Sequence, residues 1–444
     1  MNLPEAFKGV ELAVHSPATL AETPRPARWF RALVFLWKYL GGMWLCQSLL
    51  GSVVVVGWTY RLMQRTALEF WWKRSAARTQ GMTFDNFMLG SERTRGLRQW
   101  PNWIVQSNRE AVRLAREKVT WRNGVQLAPA LVHSLRLNFR TGVAAIFNTW
   151  VLTLPGCVLW LFSWYDGWNN SFNKGYEQAV VGPLTGLLGV AVFIAAMFYV
   201  PMAQARQAST GAWRSFYQFG LVWRLVRRRW FASVGLGVLY AAASLPLVVF
   251  KVLPAYFSHM KPALSDAPAA EVLRLLNRYH FWVALVVFPA FVILRLVAAR
   301  IYASALLSAT QRGAVTEDEL GEAEWEALHR LDLLQIKPQP VRHVFVRMVA
   351  WAGSRAGRAV ATVLLALVWF AFVAQIYASE FMNYHPGIGF LNQPLVQLPW
   401  FRYIPSALES PWVQFAPAIL LLLAIGAFRL VGRLRRPFRT RFAV

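Results

Sequence analysis

The sequence predicts an all-α, polytopic integral membrane protein of six or seven transmembrane helices, arranged largely as helical hairpins. Three observations carry that prediction. Apolar residues make up 56% of the 444-residue chain, and they gather into runs that reach the roughly 20 residues needed to cross a hydrocarbon core about 30 Å thick. Lys and Arg lie between those runs and at their ends rather than on one continuous face. The connecting segments also alternate in charge: residues 61–140, 203–229 and 433–444 are heavily basic, whereas 165–179, 251–279 and 380–411 are weakly charged. That alternation is the positive-inside pattern of a chain threaded repeatedly through a bilayer.

The net charge of +26 and a pI near 11.0 call for a polyanionic partner, either nucleic acid or anionic lipid. The placement of the cations at the ends of apolar runs points to membrane lipids, anionic on the cytoplasmic leaflet, and against nucleic acid. Cys46 and Cys157 both fall within apolar runs, which leaves no disulfide framework or Cys-rich metal site and makes them packing residues. Pro4, Pro17, Pro24 and Pro26 together with Glu5, Glu11 and Glu22 are unlike a cleavable signal peptide. The first span is therefore expected to act as its own insertion signal.

Taken in order, residues 1–38 read as a polar tail followed, from residue 25, by a basic and aromatic interfacial segment. Residues 39–60 form the expected first span, with Gly41, Gly42, Gly51, Ser52 and Gly57 allowing close helix approach. Residues 61–140 hold fifteen Lys or Arg against five acids and read as a cytoplasmic loop. Within it Ile104, Ala111, Val112, Ala115 and Val119 recur at helical spacing and give an amphipathic basic helix, either lying on the leaflet or solvated.

Residues 141–305 carry the centre of the chain. Apolar runs at 141–164 and 180–202 make one hairpin, and runs at 230–250 and 280–296 make a second. Between the hairpins lies a basic elbow, residues 203–229, with six arginines and no acid. A faint internal repeat links the two: Thr153–Leu154–Pro155 resembles Ser244–Leu245–Pro246, and residues 205–209 (AlaArgGlnAlaSer) resemble 299–304 (AlaArgIleTyrAlaSer). Duplication and chance similarity of apolar helices both account for it.

Residues 306–358 form a cytoplasmic segment and hold the one acidic block, where Thr316 and Glu319 have the spacing of a capping box. Leu320, Ala327, Leu328 and Leu331 give a narrow apolar stripe. The expected state is a small solvated helix, with docking against a basic elbow or a partner as the alternative. Residues 359–432 supply a third hairpin from runs at 359–377 and 412–430, and residues 433–444 are a basic cytoplasmic tail. A C-terminus inside and seven spans put the N-terminus outside. A re-entrant first segment leaves six spans with both ends inside.

Two places hold side chains suited to binding. The turn at 164–177 packs Asp166, Asn169, Asn170, Lys174 and Glu177 among aromatics, a set able to contact a headgroup, sugar or cation. Its plainer reading is an interfacial aromatic belt with a Gly/Asn turn. Arg295 lies roughly 22 Å into its helix at about 1.5 Å per residue, and an ionisable group at membrane depth is a functional candidate. Near the inner boundary it can instead snorkel to the headgroups with Arg300. The sequence contains no HExxH, GxxxxGK[ST] or GxSxG motif, so no catalytic residue, cofactor or metal is expected.

The run 199–211, TyrValProMetAlaGlnAlaArgGlnAlaSerThrGly, followed by an aromatic and basic elbow and a further apolar run, resembles bacterial polytopic membrane proteins known only as domains of unknown function. The likeness covers about residues 140–310. It implies a bacterial inner-membrane address and brings no site residue with it. The leading expectation is a non-catalytic scaffold or complex subunit with membrane-protein partners. A transporter or channel whose pathway Arg295 faces is one alternative, and a lipid-modifying enzyme working at 164–177 is another.

Overall fold

The computed structural model describes residues 28–91, 94, 121–163, 181–260, 264, 266–336 and 343–383. Among the described residues helix accounts for 88% and there is no strand. This is what lipid demands, because a helix pairs its backbone N–H and C=O groups within one segment. The longer helices are α1 (Arg28–Leu45), α2 (Leu49–Arg74), α3 (Phe84–Leu89), α4 (Trp121–Phe162), α5 (Val181–Thr210), α6 (Phe219–Arg228), α7 (Trp230–Val252), α8 (Ala269–Thr310), α9 (Glu322–Arg330) and α10 (Val344–Asn383). Among the described residues three helices are long and apolar enough to cross a membrane, over Ser134–Leu159, Leu184–Thr210 and Ala269–Thr310, and α7 carries a shorter apolar stretch, Trp230–Ala243.

The helices outrun the apolar runs that announce them. Both α4 and α8 have 42 residues, so at about 1.5 Å per residue each is roughly 63 Å long, twice a hydrocarbon core. Hydropathy marks where a helix meets lipid, whereas backbone hydrogen bonding carries it on into water. The segment 61–140, expected as a loop, accordingly begins with the second half of α2 and ends with the first turns of α4. Its amphipathic stretch 104–119 and the run 412–430 lie outside the described residues.

The expected first span, 39–60, does not form one helix. The chain breaks after Leu45, and Ser48 caps α2 by accepting a hydrogen bond from the Gly51 N–H at 3.0 Å. A Cβ placed on Gly51 would lie 2.0 Å from the Leu45 carbonyl oxygen. A serine cap and a cap-proximal glycine thus override the apolar continuity on either side. Beyond the break α2 is buried almost throughout, Arg61 included.

α2, α4, α5 and α8 form the centre, with α5 touching α2, α4, α6, α7, α8, α9 and α10. α2 and α4 cross at backbone distance: a Cβ on Gly57 would sit 1.7 Å from the Asn138 carbonyl oxygen, and one on Gly142 would sit 2.0 Å from that of Val53. α4 and α5 run antiparallel, because Gly156 meets Gly189 and Phe193 while Asn148 meets Gln207. α8 runs alongside α2, with Trp58 stacked on Phe288 and the Trp71 Nε1–H donating to the Ala303 carbonyl at 3.0 Å. α10 packs mainly on α7.

One end of this bundle presents apolar side chains outward, such as Leu184, Leu187 and Leu188 on α5, Leu245 and Val249 on α7, and Val286 and Ile293 on α8. The other end gathers the C-terminal turns of α2, α5 and α8 with α6 and α9, and is polar inside. The α5 C-terminus turns there at Gly211, whose φ of 72° lies in the left-handed region that favours glycine.

Candidate functional site

The polar end is built on the last turns of α5, where Gln204, Arg206, Gln207 and Ser209 are all buried. This is the AlaArgGlnAlaSer stretch and the residue before it, read from the sequence as the start of a basic elbow between two hairpins. Its first turns are the polar core of the bundle, because α2, α4, α6, α8 and α9 close over them.

Three connected layers surround it. In the first, Gln204 donates from Nε2 to the Thr149 hydroxyl at 2.9 Å, and its Oε1 accepts from Arg295 Nη1. Arg295 lies over the rings of Phe291 and Tyr60, 4.9 and 5.6 Å from their centroids, a stacking suited to a planar guanidinium. In the second layer Arg206 donates from Nε to Gln218 Oε1 at 2.9 Å, from Nη2 to the Glu319 carbonyl at 2.6 Å, and from Nη1 to the Tyr302 hydroxyl at 3.1 Å. The same Nη1 pairs with Glu324 Oε2. Glu324 also accepts from the Tyr302 hydroxyl at 2.7 Å and from the Gly321 N–H at 3.2 Å. In the third layer Asn148 donates to Gln207 Oε1 and to the Trp213 carbonyl, both at 3.1 Å, and accepts from the Tyr217 hydroxyl at 3.0 Å.

Burial is complete: Arg206, Tyr302 and Glu324 are each 0% exposed and Arg295 is 1% exposed. Charges so placed persist only when paired and hydrogen-bonded, and Arg206 uses all three of its nitrogens. The layer therefore ties α5, α6, α8 and α9 into one unit.

The acidic block is consequently a docked element rather than a solvated helix. Glu324 enters the core, Arg224 on α6 pairs with Glu319 and donates to the Ala314 carbonyl at 3.0 Å, and the capping box forms, with the Thr316 N–H donating to Glu319 Oε2 at 3.2 Å. The hydrogen bond from Arg224 holds the Glu319 carboxyl below its ordinary pKa. The alternative of docking on a basic elbow is the one realised, driven by the charge that Arg206 would otherwise bury alone.

Of the residues singled out from sequence, Arg295 belongs to this cluster. Arg300 does not: it is exposed, five positions further along α8 and turned away from Gln204. Asp166, Asn169, Asn170, Lys174 and Glu177 lie outside the described residues. The two repeat-like segments meet each other, since Arg206 belongs to 205–209 and Tyr302 to 299–304, but they are used differently, with Arg206 buried and Arg300 exposed. Among the described residues no group of three His, Cys, Asp or Glu side chains is placed to hold a metal ion.

No family model, no curated protein and no solved structure matches the chain, so what it does has to be read from its own residues.

Proposed function

We propose that this chain is a non-catalytic membrane component, a scaffold or complex subunit of a bacterial inner membrane, with its polar end on the cytoplasmic side. The observation that carries the reading is where the buried charges go. Arg206, Arg295 and Glu324 are fastened to groups of the same chain, an arrangement that fixes helices rather than awaiting a substrate. The orientation is supported by the arginines exposed around that end, among them Arg74, Arg78, Arg214, Arg227, Arg229 and Arg312, following the positive-inside bias. What such a rigid end offers outward is a cationic surface for anionic lipid and for partner proteins.

Transport is the second reading, favoured by one observation: the Thr149–Gln204–Arg295 layer sits on the three helices long and apolar enough to cross a membrane. One comparison separates the two. The chain is purified from native membranes in mild detergent and, in parallel, reconstituted alone in sealed vesicles. A stoichiometric companion protein, lost when Arg295→Ala loosens the fold, is the outcome expected of a subunit. A lone chain that moves solute across the vesicle, with flux altered by Arg295→Ala while the melting temperature is kept, overturns the proposal in favour of transport.

A further inference from the structure

Beside the closed core, Arg228 at the polar end keeps hydrogen-bonding capacity. Arg228, the last residue of α6, donates from Nε to the Ser308 hydroxyl on α8 at 3.0 Å. Its Nη2 is buried and has no hydrogen-bond partner. The charges that act on it, Arg312 one turn beyond Ser308 and Arg229 next in the chain, are of the same sign. Burial first, and then those two cations, push the Arg228 guanidinium below its ordinary pKa.

Arg228 thus holds an unused donor beside the Ser308 hydroxyl while two exposed cations act on its charge, a combination that a nearby anion relieves. A phosphate group answers each part of it. Its several oxygens accept from the exposed Arg229 and Arg312 and from the half-buried Arg228 side chain in the forked geometry that guanidinium favours, and the Ser308 hydroxyl, which accepts from Arg228, still carries a proton to donate. The position also indicates what brings the phosphate. Arg228 and Arg229 immediately precede Trp230, where apolar α7 begins, and Phe231 is exposed, so acyl chains can lie against α7 while the headgroup meets the arginines.

We propose that Arg228, Arg229 and Arg312, with the Ser308 hydroxyl, form a binding site for a phosphate group at the membrane boundary, filled by the headgroup of an anionic lipid. The site deepens the reading of the polar end as a lipid-facing scaffold and rests on it for its orientation.

Native mass spectrometry of the full chain in detergent, titrated separately with phosphatidylglycerol, phosphatidylcholine and inorganic phosphate, tests the site. Phosphatidylglycerol is expected to bind roughly ten-fold or more tightly than phosphatidylcholine, and Arg228→Gln or Arg312→Gln to remove about ten-fold of that affinity, as loss of a charge-assisted hydrogen bond should. Arg312 is exposed, so Arg312→Gln tests the site without opening the core, and Arg347→Gln on α10 serves as a charge control that leaves binding unchanged. Retention of inorganic phosphate with the same dependence on Arg228 and Arg312 supports the phosphate chemistry and assigns the source to the free ion. Equal binding of the two lipids, or equal losses from Arg312→Gln and Arg347→Gln, overturns the site. Loss of the lipid preference with a companion protein still bound removes this site alone; absence of a companion with the preference intact removes the subunit reading alone.

Discussion

At the scale of single residues the fold turns on a carboxylate and a guanidinium that are both withdrawn from solvent. A buried ion pair adds little net stability over an apolar replacement, but removing one partner leaves the other charged and unpaired, at a cost of about 3–5 kcal/mol. Glu324→Gln and Arg206→Gln are each expected to lower the thermal midpoint in detergent sharply, while the double replacement Arg206→Met with Glu324→Leu recovers most of it. A double variant no better than the worse single one would show that the pair is not the linchpin. Glu319 offers a pH test. Its folded pKa lies below the ordinary value of 4.5, so the stability it contributes is fully present above pH 4.5 and is lost as the pH falls through the folded pKa. The difference in thermal midpoint between the native chain and Glu319→Gln should be visible at neutral pH and vanish in acid; a difference independent of pH would mean that the Arg224 contact is not electrostatic.

What the sequence disclosed at this scale was partial, for physical reasons. Arg295 could be picked out because a charge in an apolar run is conspicuous, but its partner Gln204 was counted with the basic elbow that follows. Glu324 was legible and overlooked: it sits four positions after Leu320 and four before Leu328, within the apolar stripe of its own segment. An acid on the buried face of an amphipathic helix asks for a buried cation. That the cation is Arg206, 118 residues away, is set by tertiary packing and leaves no local trace.

At the scale of elements, the crossing of α2 and α4 depends on Gly57 and Gly142. Glycine at the first of these positions was readable from the run of small residues, whereas the break that starts α2 at Ser48 was masked by apolar residues on both sides. Because a Cβ at Gly57 would fall within 1.7 Å of a backbone oxygen, relief requires the helices to part, and overpacking of this kind costs about 1–3 kcal/mol or more. Gly57→Ala should lower stability in detergent, and Gly235→Ala on α7, where nothing lies within 4 Å, should not. Equal effects would indicate intrinsic helix propensity rather than interhelical contact.

At the scale of the whole molecule, a chain this apolar, with three helices among the described residues long and apolar enough to cross a bilayer, should resist alkaline carbonate and leave membranes only with detergent. Release by carbonate would contradict the membrane assignment. The proposed cytoplasmic placement of the polar end requires that a cysteine introduced at Arg312 be protected from an impermeant thiol reagent in sealed cells and react after permeabilisation; labelling in intact cells would reverse the orientation.

The long separations between partners also order the events of synthesis. The Arg61 of α2 meets Asn138 only 77 residues later, and Arg206 must wait for Glu324. During translation the earlier helices are therefore made carrying arginines whose mates have yet to leave the ribosome. A nascent chain caught between positions 206 and 324 holds an arginine without its carboxylate, and that charge is paired only once α9 has seated.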